Sequence, residues 1–132
     1  MSEMKKLNLT LPWPPSLNRI YRAVSGRVVL SEEGRKYALQ VSNALPTGHV
    51  EPLEGRLHVS IVFCPPEKLA GKKWDLCNRE KIFCDALTKC RVWLDDEQVD
   101  SIEMRRGQHV SNFPSGVVFL SIHEQAKDLT IA

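Results

Sequence analysis

RLHVSIVFCPP, residues 56–66, is the stretch on which the fold turns. Leu57, Val59, Ile61 and Phe63 recur at every second position, the period of a strand with one face in a core. Cys64-Pro65-Pro66 ends it, because proline gives a strand ladder no donor. Outward toward the N-terminus, Thr47 to Gly55 reads as a loop, and SEEGRKYALQVSNALP (31–46) reads as a helix. Ser31 supplies an N-cap, and Glu32 and Glu33 sit where the helix dipole favours acids. Tyr37, Ala38, Val41, Ala44 and Leu45 recur at three and four, so a helix is predicted from Glu32 to about Ala44, ending before Pro46. Further upstream, Leu7 to Leu11 alternates as a strand until Pro12, Pro14 and Pro15 stop it, and Gly26 to Leu30 is a short extended segment, half of a small hairpin.

Outward in the other direction, Glu67 to Lys73 reads as a loop. A second helix starts near Asn78, with Ile82, Phe83, Ala86 and Leu87 on one buried face. Arg91 to Asp96 is a connection that carries Trp93. Val99 to Arg105 and Val117 to Ile122 alternate and flank the turn-rich stretch Gly107 to Gly116, which predicts a terminal antiparallel hairpin. The order β-α-β-α-β-β, with no repeat and no linker, predicts one α+β domain over residues 1–132, built from a mixed sheet and two main helices. Residues 124–132 are expected to be peripheral.

Composition narrows the function less than the pattern does. The chain has 132 residues, 42% hydrophobic and 26% charged, enough to bury a core without disulfide or metal. A net charge of +2 is too mild to mark a nucleic-acid binder, so local distribution must carry that question. Cys64, Cys77, Cys84 and Cys90 form no CxxC pair, which argues against a structural zinc site. No stretch is apolar enough for a secretory signal or a membrane span, so a reducing, cytoplasmic setting is expected and no membrane partner.

Two clusters carry the chemistry. Trp74-Asp75-Leu76-Cys77-Asn78-Arg79-Glu80-Lys81 leads into the second helix, and Trp93-Leu94-Asp95-Asp96-Glu97 comes after it. Carboxylates that converge can hold Mg²⁺, which activates water and steadies the leaving oxygen of a phosphodiester. A lysine such as Lys81 would stabilise charge building on the phosphate. The helix between the clusters spans roughly 16 Å, and the connection after it reaches about 20 Å if extended. Asp96 can therefore just return beside Asp75, or a second subunit can supply it; the sequence leaves both open. The plainer alternative makes Asp75 a helix N-cap and Asp95-Asp96-Glu97 a solvated turn.

The residues themselves resemble a known family. Leu11-Pro12-Trp13-Pro14-Pro15-Ser16-Leu17-Asn18-Arg19-Ile20-Tyr21-Arg22 resembles the LPWPPSxNxxYR signature of RusA-type Holliday junction resolvases. Asp75-Leu76-Cys77-Asn78, Lys81, Asp85-Ala86-Leu87-Thr88-Lys89 and Trp93-Leu94-Asp95-Asp96-Glu97-Gln98-Val99 resemble its DLDN…K…DALTK…WLDDxQV block. The likeness runs in register from about Leu7 to His123. It implies a homodimeric endonuclease, often of phage or prophage origin, that acts in DNA recombination and repair. Such enzymes use Mg²⁺, with Mn²⁺ substituting, to nick two symmetry-related strands of a four-way DNA junction. It makes Asp75 and Asp96 metal ligands and catalytic residues, Lys81 the catalytic lysine, and Asp95 an acidic neighbour that could join the metal.

One position departs from the pattern. Cys77 stands where the family's second aspartate belongs, and a thiol is a poor ligand for a hard cation. A variant that binds without cutting, an altered residue, and a site completed by Glu80 or Asp95 all remain open. Arg19, Arg22, Lys68, Lys72, Lys73 and Trp74 are the candidate DNA-binding residues, with Arg27, Arg35 and Lys36 able to extend the basic face. Trp13 and Trp74 fit core packing better than base stacking. Against the nuclease reading stand a junction-binding protein that does not cleave and, more distantly, a small regulatory domain that binds metal through its cysteines.

Overall fold

The structure is a computed structural model and describes residues 5–16, 21–46 and 51–125. Its main sheet has four strands in the order β1-β6-β4-β5: β1 (Lys6–Pro12), β4 (Leu57–Cys64), β5 (Val99–Arg106) and β6 (Val117–Glu124). A separate two-stranded sheet pairs β2 (Tyr21–Val24) with β3 (Arg27–Leu30). Its turn, Ser25-Gly26, has φ of 50° and 75°, the positive values that two-residue hairpin turns require. With α1 (Glu32–Ala44) and α2 (Cys77–Lys89), the chain is the expected mixed α+β fold, with the extra hairpin between the first strand and first helix.

Each helix begins and ends for a local reason. In α1, Ser31 Oγ accepts from Gly34 N at 3.2 Å. Leu45, just before Pro46, turns extended (φ −70°, ψ 149°) as a residue preceding proline tends to. Tyr37 and Val41 face the sheet, and the Tyr37 hydroxyl donates to the Pro12 carbonyl at 2.8 Å. Burial pushes the Tyr37 phenol well above its usual range.

Leu57, Val59, Ile61 and Phe63 of β4 meet Ile82, Phe83 and Leu87 of α2 in one core with Leu9, Leu11, Val118, Leu120 and Ile122. All of the sheet residues in that set share one face, which the helices cover. The opposite face carries Asn8, Thr10, Ser60 and Ser121 with Val62 and Phe119.

The expected terminal hairpin does not form. β5 and β6 run in opposite directions, but β4 lies between them, antiparallel to β6 and parallel to β5. The parallel pair β4–β5 is joined through α2, the crossover that parallel strands need. Residues 107–116 are too long for a tight hairpin turn, and they carry the chain past the end of β4. Alternation reports which face of a strand is buried, not which strand lies beside it.

Candidate functional site

α2 organises the candidate site, because one carboxylate cluster precedes its first turn and the other is tied to its last. At the N-terminal end, Asp75 Oδ1 accepts from Cys77 N at 3.0 Å, a local turn that gives one otherwise unsatisfied helix donor a partner. Asp75 is thus partly the structural cap that the plainer reading expected, yet its side chain is exposed. Cys77 is the first residue of the helix and is exposed, and Leu76 before it is already helical (φ −65°, ψ −42°). The chain is therefore helical from Leu76 onward, slightly before the predicted start near Asn78. One turn on, exposed Lys81 pairs with Asp85 at 3.4 Å.

The other end is held by a network that the motifs did not announce. The Trp93 indole N–H lies 2.6 Å from Thr88 Oγ1 and 3.0 Å from Asp96 Oδ1, and the Thr88 hydroxyl donates to the same carboxylate oxygen. Trp93 is fully buried, so its N–H is a fixed donor. Asp95 caps the 3₁₀ turn Asp96–Gln98, accepting from Glu97 N at 3.0 Å. Buried Gln98 closes the turn from inside. Its Oε1 accepts from Leu94 N and Asp95 N, both at 2.8 Å, and its Nε2 donates to the Leu53 and Gly55 carbonyls at 2.8 and 3.0 Å. Outside, Arg56 forks onto Glu97 at 2.9 and 3.0 Å and also binds Asp100. That contact holds the Asp100 carboxyl below the usual carboxylate range.

Asp75 and Asp96 consequently do not meet within one chain. Asp96 is bonded to Thr88, and residues 77 and 88 are roughly 16 Å apart along the helix axis. Among the described residues, no group of three or more His, Cys, Asp or Glu side chains is placed to hold a metal ion. Cys84 is buried in α2 near Glu80, Asp96 and Asp85; burial first, then those carboxylates, push its thiol up so that it stays protonated. Cys64 is buried, Cys90 is half-buried with its thiol on the Ala38 carbonyl at 3.3 Å, and all four cysteines are free.

The basic candidates divide. Lys72, Lys73 and Trp74 line one groove of about 660 Å³ together with Gly71, Asp75 and Arg106. Lys68, in the 3₁₀ turn Glu67–Leu69, lines a neighbouring groove of about 580 Å³ with Trp13, Ser16 and Arg79. Arg19 lies outside the described residues, and only the backbone of Arg22, in β2, is described. Trp74 stacks edge-on against Trp13 at 5.1 Å, and Trp13 against Phe63 at 6.2 Å, so both indoles are braced on the core. Arg79 is buried, donates to the Pro14 carbonyl at 2.9 Å and lies over Trp13, tying the proline-rich segment to α2. Arg106 is the residue that sequence reasoning passed over, while Thr88 and Gln98 stand in the quoted motif without an assigned role. Only the phase of the β5 alternation could have placed Arg106, since its strand partner is Phe63.

Comparison with known proteins agrees with the motifs. The family model of endodeoxyribonuclease RusA matches residues 12–118. Proteins named crossover junction endodeoxyribonuclease RusA from Escherichia coli K12 and from Shigella sonnei are 41% identical over 101 residues, covering 73% of this chain and 78% of theirs. The protein of that name from Enterobacteria phage 82 is 39% identical over the same span.

Proposed function

Since the chain belongs to the endodeoxyribonuclease RusA family, we propose that it binds four-way (Holliday) DNA junctions and resolves them by paired nicking, as a symmetric homodimer dependent on Mg²⁺ or Mn²⁺. The observation that carries this reading is the placement of the two motif carboxylates at opposite ends of α2. One protomer alone does not fit a Mg²⁺ ion, because Asp75 and Asp96 lie about a helix length apart. Two copies related by a two-fold axis, with their α2 helices antiparallel, set the start of one helix beside the end of the other. Asp75 of each subunit then meets Asp96 of the partner subunit, and two equivalent sites result.

In each site Asp75 and Asp96 would hold the ion, which supplies an activated water and a stabilised leaving oxygen. Asp96 presents one oxygen outward, because Thr88 and Trp93 occupy the other. Lys81, on the exposed stripe of α2 between the two ends, would steady negative charge on the phosphate. Lys72 and Lys73 beside Asp75 supply the phosphate contacts that dominate junction affinity. The cell compartment that fits is the cytoplasm, where the four thiols stay reduced.

Cys77 favours a second reading, a junction-binding protein that no longer cleaves, because sulfur replaces an oxygen ligand next to Asp75. One experiment addresses both. Asp75→Asn and Asp96→Asn are each introduced into the Cys77→Asp protein, purified, and mixed under exchange conditions before nicking of a synthetic four-way junction is measured. Shared sites predict that two inactive proteins regain single-strand nicking on mixing, since each mixed dimer contains one intact site. Sites built within one chain predict no recovery although mixed dimers form. Binding without cutting by the unmodified protein, in Mg²⁺ and Mn²⁺, beside cutting by the Cys77→Asp protein, supports the non-cleaving reading.

A further inference from the structure

Arg106 closes the groove beside Asp75 from a distant part of the chain. Its guanidinium carbon lies 4.0 Å from the centre of the Trp74 ring, and its Nη2 donates to the Trp74 carbonyl at 3.0 Å. Trp74 is a firm support, since its other contacts run through Trp13 to Phe63 in the core. The root of the side chain is equally fixed. Gly107, the next residue, donates from its backbone to the Phe63 carbonyl at 2.8 Å, and a Cβ there would come within 2.7 Å of Cys64 Sγ. The arginine thus leaves β5 at the point where the backbone presses against β4.

The charges at this place are unbalanced. Lys72, Lys73 and Arg106 line the groove against the single carboxylate of Asp75. Arg106 makes no ion pair with a carboxylate among the described residues, whereas its neighbour Arg105 is engaged by Glu103 at 3.1 Å. Neighbouring strand residues point to opposite faces, so only Arg106 reaches the groove. A guanidinium held over an indole face, with no ion-pair partner among the described residues, suits the oxygens of a phosphodiester, which it can grip through two parallel N–H groups.

We propose that Arg106, stacked on Trp74, is a phosphate-gripping residue that seats the DNA backbone beside Asp75. The assignment rests on the junction-binding reading above and adds to it a contact from β5, outside both sequence motifs. It also gives Trp74 a definite part: the ring face covered by Arg106 serves as its platform, not as a stacking surface for a base.

The test is junction affinity measured by gel shift in chelator, across 50 to 200 mM salt, for the full protein and three variants. Arg106→Gln is expected to weaken binding about tenfold and to lower the slope of log affinity against log salt by about one, the signature of one lost phosphate contact. Arg106→Lys keeps the charge and so keeps the slope, but loses the fork and binds severalfold more weakly. Arg105→Gln, next door on the other face, leaves both slope and affinity unchanged. Arg106→Gln with the wild-type slope overturns the proposal, whether affinity is kept or falls equally at every salt concentration, because the residue then acts only through Trp74 packing. If Arg106→Gln fails to fold, an Arg106→Lys protein that binds as tightly as wild type overturns it instead. Absence of junction binding by the unmodified protein overturns the functional reading itself, a result distinct from any of these.

Discussion

Gln98→Leu isolates the part of the site that the fold holds from within. The side chain is 7% exposed and makes four hydrogen bonds with its single amide. Leucine fills nearly the same space but leaves two backbone N–H groups and two carbonyls without that partner. At about 1 kcal/mol net for each lost bond the cost approaches 4 kcal/mol. Water can reach the partly exposed Leu94 and Asp95 side of the turn, which brings the expected loss to about 3 kcal/mol. For a chain of this length that corresponds to a fall in Tm of about 10 °C. The functional loss should exceed the loss of folded protein, because Leu94 and Asp95 lead directly into Asp96. In the Cys77→Asp background, at a temperature where the variant is fully folded by circular dichroism, junction nicking should still fall by about tenfold or more. Gln98→Glu offers the matched control. It keeps the acceptor for the two N–H groups but turns a carboxylate toward the Leu53 and Gly55 carbonyls, which raises its folded pKa. Its stability deficit should therefore be largest at neutral pH and shrink as pH is lowered toward 5. A Gln98→Leu protein that melts within about 3 °C of wild type, or that melts lower yet nicks at an undiminished rate when folded, would show that Gln98 does not hold the Asp96 turn.

Other perturbations probe the same geometry. Cys77→Asp should raise Mg²⁺-dependent nicking strongly, measured as initial rate at equal junction occupancy, while Tm moves by only about 2 °C, because the position is exposed and first-turn acids suit the helix dipole. Equal and fast rates for the two proteins would mean that position 77 contributes no ligand. A thiol-reactive dye should label Cys77 quickly and Cys64 and Cys84 only on unfolding, since burial holds the latter two protonated; Cys77→Ser should remove the fast phase. Asp100→Asn should lower Tm at pH 7, and the difference from wild type should vanish as pH falls through the depressed Asp100 pKa, because a lowered folded pKa stabilises only above it.

Much of the fold was legible because its signals are local. Alternation in Leu7–Leu11 and Leu57–Phe63, the Ser31 cap and the proline stops at 12 and 46 each act within a few residues, and each stands where the sequence put it. The error about β5 and β6 arose where the deciding fact was not local. Both strands alternate, but the strand between them comes from forty residues earlier, and no feature of residues 99–122 encodes that insertion. Arg106 was missed for a related reason. Its charge was plain, but its partner Trp74 reaches it only because β4 and β5 are parallel neighbours, which brings the end of β5 back to the loop before α2.

An extended connection after α2 is long enough to bring Asp96 back to Asp75, but length is an upper bound, and the folded chain uses its slack elsewhere. After Cys90 the backbone stays against the helix it has just left: Val92 N donates to the Leu87 carbonyl at 3.0 Å, and Leu53 N to the Val92 carbonyl at 2.9 Å. Trp93 is then buried at the bridge to Leu53, and Gln98 and Arg56 fasten the turn that carries Asp96. Moving Asp96 to the other end of α2 within one chain would expose Trp93 and break these bonds together, at a cost of several kcal/mol, comparable with the whole stability of a small domain. A second copy needs none of that rearrangement. In the proposed dimer it would have only to lie antiparallel along the exposed stripe of α2, and the same rigidity that keeps Asp96 from its own Asp75 would then fix it for the partner.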